Sequence, residues 1–292
     1  MQRFKLGFAF TLVSYFCIVL LYVPSLAVIF FSVNDTRYGL SWRGWTLDWY
    51  RKLAQDPYIL EAAWNSLVVA AVSTVVATVI GTALALGLSR IKKPGMLDLF
   101  VNLPIVVPDI IMAVALTMAF SILRAFSSLF DMGFFTLIVG HVTFQISFVA
   151  LTVRSRLATM DKDMDLAAKD LNARFFFSFT RVTLPLLTPA IIAGAMLAFT
   201  LSLDDFIISF FTHGPNSVTL PIFIYASVKR GITPEIHALS TLMLIATVVL
   251  ILLAERAATA LTKRSRKAAR KGLREAGGEA GAGGAGADGA AA

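Results

Sequence analysis

Long apolar runs separated by short polar connections dominate the chain. Six apolar segments stand out, at about residues 8–31, 62–88, 98–123, 134–153, 186–211 and 236–254. Each is close to the ~20 residues that carry an α-helix across a bilayer. The pattern predicts an all-α polytopic membrane protein with six transmembrane helices. Arg3 and Lys5 precede the first run, as basic residues precede a secretory signal. That run is far longer than the ~7–15 apolar residues of a signal, so it is read as an uncleaved first span.

Composition strengthens this reading. Of the 292 residues, 57% are hydrophobic and 15% charged, where a soluble domain would carry about a quarter charged. An interior of this size cannot hide that apolar surface from water. The net charge of +8 does not point to nucleic acid, because eight of the 26 basic residues lie from Arg256 to Arg274, beyond the last apolar run. A solvated tail flanking the membrane accounts for them. The single Cys17 cannot form an internal disulfide and is expected to be a small packing residue. His141, His213 and His237 show no metal-ligand spacing.

Charge also gives orientation. With the N-terminus inside, the inner segments hold 19 lysines and arginines and the outer ones 7. The excess of basic residues on the cytoplasmic side predicts that both termini lie there. The outer connection 32–61 carries Trp42, Trp45, Trp49 and Tyr50, which suit an interfacial aromatic belt. The membrane domain is placed at residues 1–262, and a basic, then Gly/Ala-rich tail at 263–292. Its end, "GGEAGAGGAGADGAAA", has too little apolar surface to fold.

Three acids interrupt the apolar runs. Asp109 follows Pro108, which removes a backbone donor and kinks the third span. Asp204 and Asp205 lie inside "FTLSLDDFIISFF" (199–211). An acid at bilayer depth costs ~2.5–3.5 kcal/mol on insertion scales and so faces a bundle interior or water. On one helix the adjacent pair would diverge by about 100°. One acid can then face a cavity while the other packs against a neighbour or caps a broken turn. The plainer alternative is that they hold helices together through Thr200, Ser202 and Ser209. Glu235, after Pro234, reads as a helix-start acid. His141 and His237 read as polar contacts in or beside the bundle, and Phe175–Phe179 as surface or partner packing.

The inner connection 154–185 contains "DLAAKDLNARFFFSFTRVTLPLLTPAI", which resembles the EAA motif of ABC-importer permeases. Ala167, Ala168, Leu171 and the pair Leu184–Pro185 match that motif. Leu166 stands where the family has glutamate, with Asp165 one residue earlier, and Asn172 stands where it has glycine. "PDII" at 108–111, "FTLSLDDFIISFF", "GPNSVTLPIFIYASVKRG" and "TPEIHAL" are similar, in that order, to the spermidine/putrescine-type permeases. The resemblance spans most of residues 60–250. It implies a type I ABC importer permease fold and import of polyamines. A second permease subunit (a heterodimer partner), two cytoplasmic ATPase subunits, an external substrate-binding protein and membrane lipid would be the partners. It also implies that Asp165, Ala167, Ala168, Asp170, Leu171, Asn172 and Pro185 belong to the ATPase-coupling loop. The location implied is the bacterial inner membrane.

The chain has no Gly-x-x-x-x-Gly-Lys-[Ser/Thr] loop, so ATP is expected to be used by a partner and no cofactor is expected here. It also lacks His-Glu-x-x-His and Gly-x-Ser-x-Gly, which argues against an enzyme. Asp109, Asp204 and Asp205 are the candidate substrate-pathway residues. Two alternatives remain: an ABC permease for another small cationic or organic solute, and an ion-coupled secondary transporter or channel. The long inner loop separates them, since a lone carrier has no use for an ATPase-docking helix.

Overall fold

A computed structural model describes residues 2–36, 41–91, 95–160, 183–231 and 233–253, together with residues 179, 255, 256 and 259. Helices α1 (Gln2–Phe31), α2 (Asp48–Leu53), α3 (Pro57–Arg90), α4 (Gly95–Val106), α5 (Asp109–Leu123) and α6 (Phe134–Ala158) come first. They are followed by α7 (Leu184–Asp204), α8 (Ile207–Thr212), α9 (Leu220–Arg230) and α10 (Pro234–Leu253). Among the described residues five helices are long and apolar enough to cross a membrane: Phe10–Phe31 of α1, then α3, α6, α7 and α10. The bent pair α4 and α5 brings the number to six when it is counted as one span.

Two of the six expected spans differ from the simple helices that hydropathy predicts. The third is broken, with α4 and α5 meeting at 109°. Pro108 lies in the break and withholds the backbone donor a continuous helix needs. The fifth ends at Asp204, and residues 207–212 form the separate helix α8. Asp204 and Asp205 therefore do not sit on one continuous helix. Pro185 is the second residue of α7, a position where its missing N–H is not called on. Asp165, Ala167, Ala168, Asp170, Leu171, Asn172 and the tail 263–292 lie outside the described residues.

Contacts divide the chain into two units. One comprises Met1–Ala70, Asp109–Gly140 and Leu203–Val249. Its apolar cluster packs Trp49 and Leu53 of α2 with Ala238 and Leu239 of α10, flanked by Leu220, Phe223 and Ile224 of α9. Trp49 does not sit at an interface as the aromatic belt would have it: it is buried, and its indole N–H donates to the Asn34 carbonyl at 3.0 Å. The Tyr50 hydroxyl pairs with Ser32 Oγ at 2.7 Å. Trp42 and Trp45 remain exposed, and Trp42 stacks on Phe30 at 4.6 Å.

In the same unit α3 organises the segment after α8. Asn65 Nδ2 donates to the Val218 carbonyl at 3.1 Å, and Ser66 Oγ accepts from Leu220 N at 2.7 Å. Gly214 approaches the Met132 carbonyl so closely that an added Cβ would stand 2.0 Å from its oxygen. Only glycine fits there. Cys17, expected as a packing residue, is exposed on α1.

The second unit comprises Ala71–Pro108, His141–Ser202 and Leu250–Ala292. Its core is built from Ala85 of α3, Val149, Ala150 and Val153 of α6, and Leu187 and Ala198 of α7. Small residues permit close helix approach in lipid. At Gly81 an added Cβ would lie 2.8 Å from Val149 Cβ and 2.9 Å from the Ile146 carbonyl oxygen. Arg154 near the end of α6 pairs with Asp98 in the first turn of α4.

Candidate functional site: the break in the fifth span

The break between α7 and α8 gives its two carboxylates different surroundings. Asp205 is half-buried and faces forward along the chain. Its carboxylate accepts hydrogen bonds from Ser209 N at 2.8 Å, Ser209 Oγ at 2.9 Å and Ile208 N at 3.3 Å. These N–H groups belong to the first turn of α8, where a helix has no internal acceptors for them. Asp205, one residue before the N-cap Phe206, thus caps this turn with its side chain, a role in which aspartate is favoured.

Asp204 closes α7 and is exposed. Among the described residues it joins no hydrogen bond or ion pair. A helix C-terminus carries roughly half a negative charge, and an acid there is disfavoured by about 0.3–1 kcal/mol. The last turn of α7 contains no basic residue to offset it. The carboxylate therefore stands beside closing carbonyls that lack intrahelical partners.

α8 is held firmly around this point. Ile208, Ser209 and Thr212 are buried. Thr117 of α5 donates to the Phe211 carbonyl at 3.2 Å, and Thr136 of α6 to the Thr212 carbonyl at 2.9 Å. An added Cβ on Gly140 would stand 3.0 Å from Ile208 Cγ2. Phe206, next to Asp205, lies 4.7 Å from Tyr225 of α9 between ring centres. Asp109 is exposed at the first residue of α5, the helix packed on α8. There its charge complements the helix dipole.

A buried polar cluster that hydropathy does not reveal joins α3, α6 and α7. His141 Nδ1 lies 2.6 Å from Ser202 Oγ. Gln145 Nε2 donates to Ser73 Oγ at 3.0 Å and to the Ala198 carbonyl at 3.2 Å. His141 is therefore a polar contact within the bundle. His237 instead lies half-buried against Phe31, with ring centres 6.1 Å apart. Glu235 is the second residue of α10, which begins at Pro234.

Residues 77–267 match the family described as "Binding-protein-dependent transport system inner membrane component". The chain is 39% identical over 245 residues to the spermidine/putrescine transport system permease protein PotC of Escherichia coli strain K12, covering 83% of this chain and 91% of the relative. It is 38% identical over 228 residues to the putrescine transport system permease protein PotI of the same strain, covering 77% and 81%. Among solved structures, a bacterial ABC transporter involved in importing the acidic polysaccharide alginate superimposes with a TM-score of 0.72. That match has 16% identity and covers 89% of this chain and 97% of the other, so it speaks for the fold.

Proposed function

The chain belongs to the family of binding-protein-dependent transport system inner membrane components, and from that premise we propose that it is a permease subunit of an ATP-driven polyamine importer. The observation that carries the reading is the uncompensated Asp204 at the C-terminal end of α7. Such an end repels anions and accepts a cation without first breaking an internal ion pair. Broken helices in transporters use their C-terminal ends and free carbonyls in this way. The relatives named for spermidine and putrescine make an ammonium the cation of choice.

A linear polyamine carries ammonium groups separated by flexible methylene chains. Asp109 and Asp204 each take one such group in turn, replacing part of its hydration weakly enough to permit release. Asp205 is already engaged by three donors of α8, so Asp204 is the route-facing member of the pair. The connection 154–185, with Asp165, Ala167, Ala168, Asp170, Leu171 and Asn172, docks on the ATPase. Pro185 stands in the first turn of the helix that leaves it. α7 has 21 residues, about 31 Å of helix, between the end of that connection and Asp204.

ATP is bound and hydrolysed by two cytoplasmic ATPase subunits rather than by this chain. A second, different permease subunit completes the pathway, an external binding protein delivers the substrate, and the assembly sits in a bacterial inner membrane with both termini inside. The test uses cells lacking polyamine importers and supplied with the complete transporter. Accumulation of labelled putrescine or spermidine, with ATPase subunits copurifying with this chain, is expected. Uptake of neither polyamine removes the substrate assignment, and loss of the ATPase from the purified complex removes the coupling.

A further inference from the structure

The cluster around His141 is a two-rung ladder. His141 and Gln145 are four residues apart on α6 and share a face. Ala198 and Ser202 are related in the same way on α7. His141 meets Ser202, and Gln145 meets the Ala198 carbonyl, so the two helices run antiparallel along the ladder. Ser73 of α3 closes it, accepting from Gln145 and standing 3.4 Å from Ser202 Oγ. His141, Gln145, Ser73 and Ser202 are each no more than 5% exposed.

Stability alone does not account for this group. Among the described residues Gln145 Oε1 is buried with no hydrogen-bond partner, and an unsatisfied polar atom in such a place is costly. Apolar residues of similar size would pack there without that cost. The position of the ladder points to a use. Ser202 lies in the last turn of α7, two residues before Asp204. The closing carbonyls of a helix lack internal partners, and helix ends fray. A side chain pinned from α6 at 2.6 Å holds that turn to one register.

We propose that His141 is a positioning residue for the substrate cation: through Ser202 it fixes where α7 ends, and hence where the Asp204 carboxylate stands. This rests on the reading of Asp204 as a station for a passing ammonium group. Neither His141 nor Ser202 touches the substrate.

The test is a double-mutant cycle on the complete transporter in proteoliposomes, read as KM and maximal rate for labelled putrescine. His141→Ala is expected to raise KM about tenfold, with the maximal rate changed by less than about threefold. In an Asp204→Asn background the same substitution should add less than about twofold, because the group it positions is gone. His141→Asn carries its amide where Nδ1 stands and should restore KM to within about threefold of the parent, whereas His141→Gln should not. If His141→Ala prevents assembly, the Asn and Gln variants carry the comparison. An equal rise in KM in both backgrounds, or equal behaviour of the Asn and Gln variants, overturns the proposal.

A second readout is independent of the substrate. With Cys17 replaced by alanine and Asp204 by cysteine, the rate of modification by a cationic methanethiosulfonate reports how position 204 is presented. His141→Ala is expected to change that rate at least about fivefold and His141→Asn to leave it near the parent value. A rate unaffected by His141→Ala overturns the positioning role. If the transporter takes up no polyamine, the functional reading falls while the labelling still decides the position of residue 204.

Discussion

Replacing Asp205 by alanine separates the tasks of two neighbouring acids. The change deletes a carboxylate that receives Ser209 N, Ser209 Oγ and Ile208 N at 2.8, 2.9 and 3.3 Å. Loss of an N-terminal cap costs ~0.5–2 kcal/mol, and hydrogen bonds to a charged group contribute ~1.5–3 kcal/mol. These figures overlap, since the cap consists of the same bonds. Asp205 is half-exposed, and water takes over part of the lost solvation, which sets the expectation at about 2 kcal/mol. For a chain of this size that lowers an unfolding midpoint by about 4–8 °C. The assay is thermal unfolding of the complete transporter purified in detergent. Asp204→Ala should leave the midpoint near that of the parent, because Asp204 has no such bonds and repels its own helix end. Asp205→Asn keeps an acceptor oxygen and should fall between the two. Equal losses for Asp204→Ala and Asp205→Ala, or a greater loss for Asp204→Ala, would rule out the division of labour.

Two further outcomes follow from packing and charge. Gly81→Ala places a methyl group 2.8 Å from Val149 Cβ and 2.9 Å from a backbone oxygen, an overpacking cost of about 1–3 kcal/mol. Its lowered midpoint should not recover with Val149→Ala, which retains the offending Cβ. Breaking the Arg154–Asp98 pair with Asp98→Asn should cost less than about 1 kcal/mol, because both side chains are 32% exposed. The charge-reversed double variant should regain most of that loss, as measured by the same unfolding assay.

The spans were legible because a helix in lipid must satisfy its own backbone, and long apolar runs mark where it does so. Pro108 announced an irregular third span, although a 109° bend exceeds the kink that one proline predicts. The break after Asp204 was harder to read. Phe206–Phe211 is as apolar as the helix before it, and hydropathy does not register a cap. The usable signal was Asp205 followed four residues later by Ser209, an acceptor next to a helix start. Trp49 was misread because aromatics in an outer connection suit both a belt and a small core, and only contact with Asn34 and α10 distinguishes them. The acids Asp109, Asp204 and Asp205 stood out against apolar surroundings. The His141 ladder did not, since its bonded partners lie 53 to 129 residues apart and meet only when three helices pack.

The central claim is that Asp204 offers the cation station at the end of α7. It is tested most directly by uptake of labelled putrescine into proteoliposomes holding the complete transporter with Asp204→Asn, with assembly and ATPase content checked on the same preparation. The substitution keeps shape and removes the charge, so uptake at subsaturating putrescine should fall about tenfold or more, the loss of one charged contact, while the complex remains intact. Uptake equal to that of the parent in an intact complex would mean that the cation passes without Asp204.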